Sequence, residues 1–320
     1  MLEIGLAPPA RPQGRDARAN PGQVANRTCT SPPHAPARGL MLGLAIAVCA
    51  ACATVNYLDP AGPLHEERFA EASPSPPPPG APLRVVTFNI AYAVKIELAI
   101  DVLRDTPQLR NPDVLALQEM DAPGTERIAR DLGMNSVFVP SAVHPKTDRD
   151  FGCAILSPWP LVEAGKVVLP IGAFGSRVRR SAARATVVRG DERLLSYSVH
   201  LPSPLGVTGA ARRQQLEVLL ADAAGFTGPV VVAGDFNSHD VGRQLVKAGY
   251  SWPTRDVGTT SKFFFFGMSI DHIFARGLVA ISSVESFGSV KENRGASDHR
   301  PVWVILVAPD EPAEGEPPGA

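Results

Sequence analysis

The stretch VVVAGDFN, Val230–Asn237, contains the residues whose types and spacing most suggest chemistry. An apolar run ends in Gly234, and two side chains with oxygen ligands, Asp235 and Asn237, follow one residue apart. Residues i and i+2 of an extended chain lie on the same side, so both face one point at the end of a strand. A carboxylate and an amide at one point suit a hard divalent cation and a phosphate oxygen. The alternative is an ordinary turn, in which Asp and Asn bond their own backbone.

Polar residues also stand at the ends of other predicted strands. They are Asn89 in VVTFNI, Glu119 in LALQE, His200 in YSVHL, Asp271 in IDHIF, and Asp298 and His299 in SDHRP. Each has an ordinary interpretation by itself, as a turn former, a solvated strand end, a core histidine or a loop cap. Packing needs alone do not readily place such residues at so many strand ends, so together they predict a polar site.

Alternating apolar and β-branched runs predict the strands that must position these residues. The predicted strands cover residues 83–90, 113–118, 150–156, 182–188, 194–200, a run from 230, 270–274 and 302–307. Apolar residues at helical spacing predict helices at 96–103, 125–132 and 209–224. Strands and helices alternate without internal repeats. Two packed sheets with helices outside would cover this many apolar strands.

The motifs together resemble those of the exonuclease–endonuclease–phosphatase superfamily, which includes deoxyribonucleases, abasic-site endonucleases, inositol-polyphosphate 5-phosphatases and neutral sphingomyelinases. Thr-Phe-Asn, Leu-Gln-Glu, Val-His-Leu, Gly-Asp-Phe-Asn, Ile-Asp-His and Ser-Asp-His occur in that order between Leu83 and Val307. The resemblance implies an α/β fold, a four-layer α/β sandwich in which two packed mixed β-sheets are flanked by helices. It also implies a site at one edge of the sandwich.

The resemblance further implies a metal site. Glu119 would be the main ligand of a divalent cation with Asn89 beside it, and Asp298 would be a further ligand or a support on the side of His200. Oxygen ligands without thiolates favour Mg²⁺ or Mn²⁺ over zinc. The number of ions stays open.

By the same resemblance, five residues would carry catalysis. They are His200, Asp235, Asn237, Asp271 and His299. Asp235 and Asn237 would face the scissile phosphate and the attacking water, with Asp235 also available for metal or base duty. His200 would donate to a phosphate oxygen or the leaving group. His299 would polarise water or the phosphate, oriented by Asp271, because an Asp bonded to one ring nitrogen fixes the tautomer of a histidine.

Two further stretches have a functional and a structural interpretation. One is a cluster of four arginines, Arg177, Arg179, Arg180 and Arg184. The cluster either belongs to a solvated loop or attracts a phosphate group to the site. Of these, Arg184 is the one expected to bind substrate. The run Phe263–Phe266 fits two buried strand faces, or an exposed tip that meets lipid or a stacked base.

Composition and charge narrow the function classes. The 320 residues carry a net charge of −1, while residues 83–308 contain 25 basic and 22 acidic side chains, a balance of +3. This charge is compatible with a phosphate-bearing substrate, but it is much smaller than the positive charge expected of a dedicated binder of duplex nucleic acid. Cys29, Cys49 and Cys52 precede that domain and only Cys153 lies within it, which excludes a disulfide framework and a cysteine zinc site there.

The N-terminal part predicts export. Residues 1–39 are predicted to be disordered or an upstream segment, and the apolar residues 40–51 have the length of a signal h-region rather than a membrane span. Residues 40–52 end in Cys-Ala-Ala-Cys, which resembles the end of a bacterial lipoprotein signal. The resemblance implies that Cys52 is lipidated. Simple cleavage and an uncleaved anchor are the less favoured alternatives. Residues 53–82 are predicted to be a Pro-rich linker that holds the domain of residues 83–308 off a membrane. Residues 309–320 form an acidic, Pro-rich tail.

These features favour a divalent-metal-dependent phosphoesterase that is exported and anchored to a membrane through a lipid. It would hydrolyse phosphodiester or phosphomonoester bonds, with phospholipid head groups and other small phosphodiesters as the favoured substrates. The first alternative is an extracytoplasmic endonuclease or exonuclease that cleaves DNA or RNA. The second is an inactive binding module with the same fold, although the full set of metal and histidine residues argues against it. The sequence indicates no obligate protein partner.

Overall fold

The computed structural model describes residues 55–71, 74–78, 80–174, 177–203, 205–263, 266–282 and 285–309. The strands are β1 (His65–Arg68), β2 (Leu83–Asn89), β3 (Val114–Met120), β4 (Asn135–His144), β5 (Arg149–Ser157), β6 (Leu161–Val168), β7 (Ser181–Arg189), β8 (Glu192–His200), β9 (Val230–Asp235), β10 (Ser261–Phe263), β11 (Phe266–Met268), β12 (Asp271–Arg276), β13 (Val279–Ala280), β14 (Phe287–Ser289) and β15 (Val302–Val307). The helices are α1 (Ile96–Asp105), α2 (Ala122–Leu132), α3 (Gly209–Ala223) and α4 (Gly242–Lys247).

Two mixed sheets form the centre of the molecule. The first has eight strands in the order β1-β4-β5-β3-β2-β15-β13, with β14 also paired to β15, and the second has five in the order β12-β9-β8-β7-β6. The pairs β2–β3 and β8–β9 are parallel, while the other strand pairs are antiparallel. The predicted fold class, α/β with two packed mixed sheets, is confirmed.

Three layers of apolar contact hold the sheets and helices together. Val85 and Ala116 of the first sheet pack against Ala183 and Val231 of the second. The outer face of the first sheet packs on α1 and α2, and that of the second packs on α3 and α4. The central strands β2 and β9 are therefore covered on both faces, which explains why their sequences are almost continuously apolar.

The domain begins earlier than the sequence predicted. Residues 53–82 were expected to be a linker, but β1 pairs with β4 along its whole length, and the Tyr57 backbone N donates to the Ser141 carbonyl. The Pro-rich part also contacts the domain, because the Arg189 guanidinium donates to the carbonyls of Ala81 and Pro82. The described N-terminal residues are thus packed against the sandwich from Val55 onward. The all-polar β1 gave no apolar pattern from which this could be read.

Several predicted segments lie outside the described residues. These are residues 1–39, the signal of residues 40–52 with Cys52, and all of residues 309–320 except Pro309. No helix among the described residues combines the length and the apolar character that a bilayer crossing requires.

Candidate active site

Strand direction brings the predicted residues to one edge of the sandwich. Asn89 ends β2 beside the Gln118 of parallel β3, and His200 ends β8 directly opposite Asp235 of parallel β9. Asp271 begins β12, which runs antiparallel to β9 and pairs Asp271 with Asp235. Parallel strands end at the same edge of their sheet, and the ends of β2 and β9 lie at the same edge of the sandwich. Asn89 of the first sheet therefore meets Asp235 of the second.

A β-bulge aims Glu119 into this edge. The pairing of β3 with β5 shifts between Gln118 and Met120, and the bulged Glu119 has a φ of +57°. A bulge of this kind re-aims one side chain without ending the strand. The Glu119 Oε2 atom accepts from the Tyr92 backbone N at 3.0 Å, which fixes the carboxylate at the mouth of the site.

Asp235 is the point at which the strands meet. Its Oδ2 atom lies 3.1 Å from Asn89 Nδ2, 3.5 Å from His200 Nε2 and 3.7 Å from His299 Nε2. Its Oδ1 atom accepts from the Asn237 backbone N at 2.8 Å. The carboxylate is almost completely buried, at 1% exposure, so these contacts rather than water determine its charge.

Gly234 allows Asp235 to reach this position. A Cβ atom at Gly234 would lie 1.9 Å from the Val199 carbonyl oxygen of the neighbouring strand. Any larger residue would push β9 away from β8. Gly234 is therefore required for the packing of β9 against β8, whereas Asp235 and Asn237 supply the polar groups.

Asn89 is placed differently from the expected ligand. Its amide nitrogen faces Asp235 at 3.1 Å and Glu119 Oε1 at 3.4 Å, while its Oδ1 atom accepts from the Ala91 backbone N at 3.0 Å. The amide donates to both carboxylates and keeps them together. In this arrangement it orients ligand groups rather than offering a ligand oxygen of its own.

Asp271 and His299 form a buried pair. His299 Nδ1 lies 3.0 Å and 2.9 Å from the two Asp271 carboxylate oxygens, which leaves Nε2 directed at Asp235. Burial opposes protonation of His299, but the charges of Asp271 and Asp235 outweigh it and raise the pKa of the imidazole to about 10. The pair therefore presents a ring N–H towards the centre of the cluster.

The electrostatics of the other groups follow from burial and crowding. Burial, reinforced by the charge of Asp271, raises the pKa of Asp235 to about 7. Burial also raises the pKa of Glu119. The pKa of His200 falls well below its usual value because the ring is buried and Arg180 adds a positive charge. Its Nδ1 atom has no hydrogen-bond partner among the described residues.

The donor set fits a hard divalent cation. The half-buried carboxylate of Glu119 and the buried carboxylate of Asp235 meet at the Asn89 amide, and a cation between them would relieve their mutual repulsion. Ligand atoms of Asp235, Asp271 and His299 also lie within 4.8 Å of one another. Both oxygens of Asp271 already face His299, so the Glu119 and Asp235 carboxylates are the better ligands.

Asn237 and Asp298 lie at the margin of the cluster. Asn237 has a φ of +50°, and its Nδ2 atom donates to the Leu201 carbonyl at 2.9 Å, which ties the end of β9 to the end of β8. Asp298 is exposed beside His299 and accepts weakly from Ser297 Oγ at 3.4 Å. It contributes charge to the site from the rim.

Arg184 does not reach this site, and Arg180 does. Arg184 pairs with Tyr197 and lies against Asp222 of α3, at 3.4 Å, on the sheet face opposite to His200. Arg180 instead lies 4.6 Å above the Phe151 ring, next to Glu119 and Asp235. Its Nε and Nη1 atoms have no hydrogen-bond partner in the part of the chain that the structure describes. The arginine expected to bind substrate therefore lies on the α3 side of the sheet, whereas Arg180, just before β7, is the member of the cluster beside the two carboxylates.

The aromatic run Phe263–Phe266 lies mostly outside the described residues, since residues 264–265 and the side chain of Phe263 are not described. Phe266 is exposed. It belongs to a hairpin, β10–β11, whose Ser261 pairs with His299. The hairpin is thus adjacent to the site.

Comparison with known proteins gives partial sequence matches and extensive structural ones. A UPF0294 protein of Vibrio cholerae is 37% identical over 98 residues, which are 29% of this chain and 32% of the relative. The chain thus spans about a third of the length of the curated relatives it matches. An endonuclease/exonuclease/phosphatase structure from Beutenbergia cavernae has a TM-score of 0.56 at 23% identity, over 71% of this chain and 72% of that one. A humanized D. rerio TDP2 gives 0.56 at 18% identity, over 70% and 98% of the two chains.

These structural likenesses, at low identity, establish the shared fold. The family model provides the assignment. The model described as "Endonuclease/Exonuclease/phosphatase family" matches residues 86–299, most of the chain, and this range contains each of the clustered side chains. The chain belongs to the endonuclease/exonuclease/phosphatase family.

Proposed function

We propose that the chain is a divalent-cation-dependent phosphodiesterase that acts at the cluster around Asp235. The observation that carries this proposal is the meeting of Asn89, His200 and His299 at one carboxylate oxygen of Asp235, from the ends of β2 and β8 and from the loop before β15. Glu119 supplies a second carboxylate at the open side. Family members act on phosphoester bonds, and this cluster has the groups that such a hydrolysis requires.

The histidines would act on the phosphate from two sides. Asp271 holds His299 Nδ1, so the Nε2–H points inward to a phosphate oxygen as negative charge develops. His200 lies on the other side of Asp235 and would donate to a second oxygen or to the leaving group. Asp235 would accept a proton from the attacking water. The hydrogen bond from the Asn89 amide positions the Asp235 carboxylate for this role.

Arg180 and the carboxylates would position the substrate. The unpartnered guanidinium atoms of Arg180 suit a phosphate oxygen, and Phe151 beneath them restricts their movement. Glu119 and Asp235 would hold the cation, with Asn89 keeping them in place. When bound, the cation supplies charge neutralisation at the phosphate oxygens and at the two carboxylates.

Hydrolysis of bis-p-nitrophenyl phosphate tests the proposal. We expect activity with Mg²⁺ or Mn²⁺, loss of activity with EDTA, and a fall of roughly 100-fold or more in His299→Ala, because positioned acid–base groups contribute about 10²–10⁴-fold. His65→Ala is the matched control, since His65 is exposed on the edge strand β1. Equal activity of His299→Ala and the control, or indifference to EDTA, would rule out catalysis at this cluster.

Substrate class and location are further parts of the proposal. A lipid anchor at Cys52, with the domain outside the cytoplasm, favours a phosphodiester in a phospholipid head group. The modest positive charge of the domain agrees with this choice. Mass spectrometry of the mature N-terminus tests the anchor, because a lipidated cysteine there has a characteristic mass.

A panel of sphingomyelin, phosphoinositides, plasmid DNA and RNA tests the substrate class. We expect hydrolysis of lipid. Activity confined to DNA or RNA and falling steeply with salt would instead favour the nuclease alternative, because phosphate contacts of nucleic acids are salt-dependent.

A further inference from the structure

The most exposed large apolar side chains share one end of the molecule. Among the described residues, those more than half exposed are Val55 (53%), Val94 (64%), Phe174 (68%), Leu205 (77%) and Phe266 (75%). Exposed apolar residues that are scattered singly need no explanation, whereas a group at one place marks a docking surface.

Their positions along the strands place them around the candidate site. Val94 lies between the Asn89 end of β2 and α1, and its neighbour Lys95 donates to the Gly295 carbonyl, close to His299. Phe174 belongs to the connection between β6 and β7 that ends at Arg180.

Leu205 follows the His200 end of β8. The loops of Phe174 and Leu205 are joined, since the Phe174 backbone N donates to the Gly206 carbonyl at 2.6 Å. Phe266 lies on the hairpin whose Ser261 pairs with His299. Val94, Phe174, Leu205 and Phe266 therefore lie on connections at the same edge as the clustered residues.

Charge at the same end is balanced between basic and acidic side chains. Lys146 is exposed and lies 4.8 Å above the Tyr92 ring, and Arg177 is exposed next to Asn56. Asp148 and Asp298 are exposed there as well. The two basic and two acidic side chains balance, so it is the apolar side chains of this end that suit the surface of a bilayer.

The N-terminal segment enters the domain at this end. The Val143 backbone N donates to the Val55 carbonyl at 2.8 Å, and the Arg179 backbone N donates to Asn56 Oδ1 at 2.7 Å. Val143 and Arg179 are direct neighbours of His144, which stacks on Tyr92, and of Arg180. The sequence continues backward from Val55 to the apolar run of residues 40–51, with Ala53 and Thr54 separating it from Cys52.

We propose that this end, the apolar rim formed by Val55, Val94, Phe174, Leu205 and Phe266, docks on a lipid bilayer with the candidate site facing the lipid. The substrate class that follows is a phosphodiester in the head group of a membrane lipid. The claim about the substrate rests on the proposed function, whereas the claim about orientation does not. The segment of residues 53–82 then holds the domain against the membrane, opposite to the spacer role that its proline content suggested.

Tryptophan emission from single variants of the full chain tests the orientation. Phe174→Trp places the probe on the rim, and Val279→Trp is the matched control. Val279 is also exposed, at 39%, but pairs with Val307 at the far end of β15. Both are mixed with vesicles of phosphatidylcholine and phosphatidylglycerol, with bromolipid as quencher and the unsubstituted chain as the background. We expect a blue shift and quenching for Phe174→Trp and neither for Val279→Trp.

Three outcomes would overturn the orientation. They are no binding to vesicles, binding with Phe174→Trp still in water, and equal shifts of both probes. Leu205→Trp serves as a second rim probe if Phe174→Trp fails to fold, with the same expectation. Because emission does not depend on hydrolysis, a chain that docks but hydrolyses nothing would contradict the proposed function alone.

Discussion

At the residue scale, three acids at one edge of the sandwich have different tasks. Asp271 is committed to His299 by two short contacts, and Asp235 is shared among Asn89 and two histidines. Glu119 faces the open side, on a bulge. This division makes Asp271 a positioning residue and the other two carboxylates the candidate ligands.

Asp271→Asn tests that division. We expect kcat for bis-p-nitrophenyl phosphate to fall by roughly 10²-fold or more, because the amide no longer fixes the required His299 tautomer. The Mn²⁺ concentration needed for half activation should stay unchanged, since Asp271 is not assigned to the cation. The exposed Asp256→Asn variant is the control. A large rise in the required Mn²⁺ concentration would instead identify Asp271 as a ligand.

At the element scale, the site depends on where strands end and on two local backbone features. The parallel pairs β2–β3 and β8–β9 deliver Asn89 and Asp235 to the same edge. The bulge at Glu119 and the close approach at Gly234 then set the distances between side chains.

Gly234→Ala should destabilise the fold. The added Cβ atom would lie 1.9 Å from the Val199 carbonyl oxygen, so the strands must separate at a cost of about 3 kcal/mol. Gly225→Ala is the matched control, because its Cβ atom meets nothing within 4 Å, and we expect a change within about 0.5 kcal/mol. Urea unfolding measures both. Equal stability of the two variants would show that β9 tolerates displacement.

The sequence allowed the central strands to be predicted because their polar ends interrupt apolar runs. It did not reveal β4, whose run contains Pro140, or β6, which Gly165 divides. It also did not separate Arg180 from Arg184, because the two lie close together in the chain and neither their type nor their spacing indicates that Arg184 faces Asp222 of α3. Contacts between residues distant in sequence supply that information.

At the scale of the whole molecule, the described residues between Val55 and Pro82 are part of the domain. Tyr57 Oη donates to Asp150, β1 extends the first sheet, and Arg189 holds the residues that lead into β2. The sequence did not predict these contacts, because its proline-rich part shows no hydrophobic periodicity and β1 is polar and entirely exposed.

Removing this segment should lower stability. A fragment of residues 83–308 loses these contacts, whereas a fragment of residues 55–308 keeps them. We expect the shorter fragment to unfold at least about 5 °C lower, since 1 kcal/mol corresponds to about 2–4 °C in a domain of this size. Scanning calorimetry of both fragments measures the difference. Identical transitions would show that the contacts contribute nothing to folding.

The central claim is that the cluster at the ends of β2, β3, β8 and β9 holds a divalent cation. Its most direct measurement is calorimetric titration of Mn²⁺ into the chain and into Glu119→Gln, with the exposed Asp148→Asn as the control. We predict binding by the unaltered chain and the control, and affinity at least about 10-fold weaker in Glu119→Gln, because a ligand charge is lost. Equal Mn²⁺ affinity of all three proteins, or no binding by the unaltered chain, would contradict the claim.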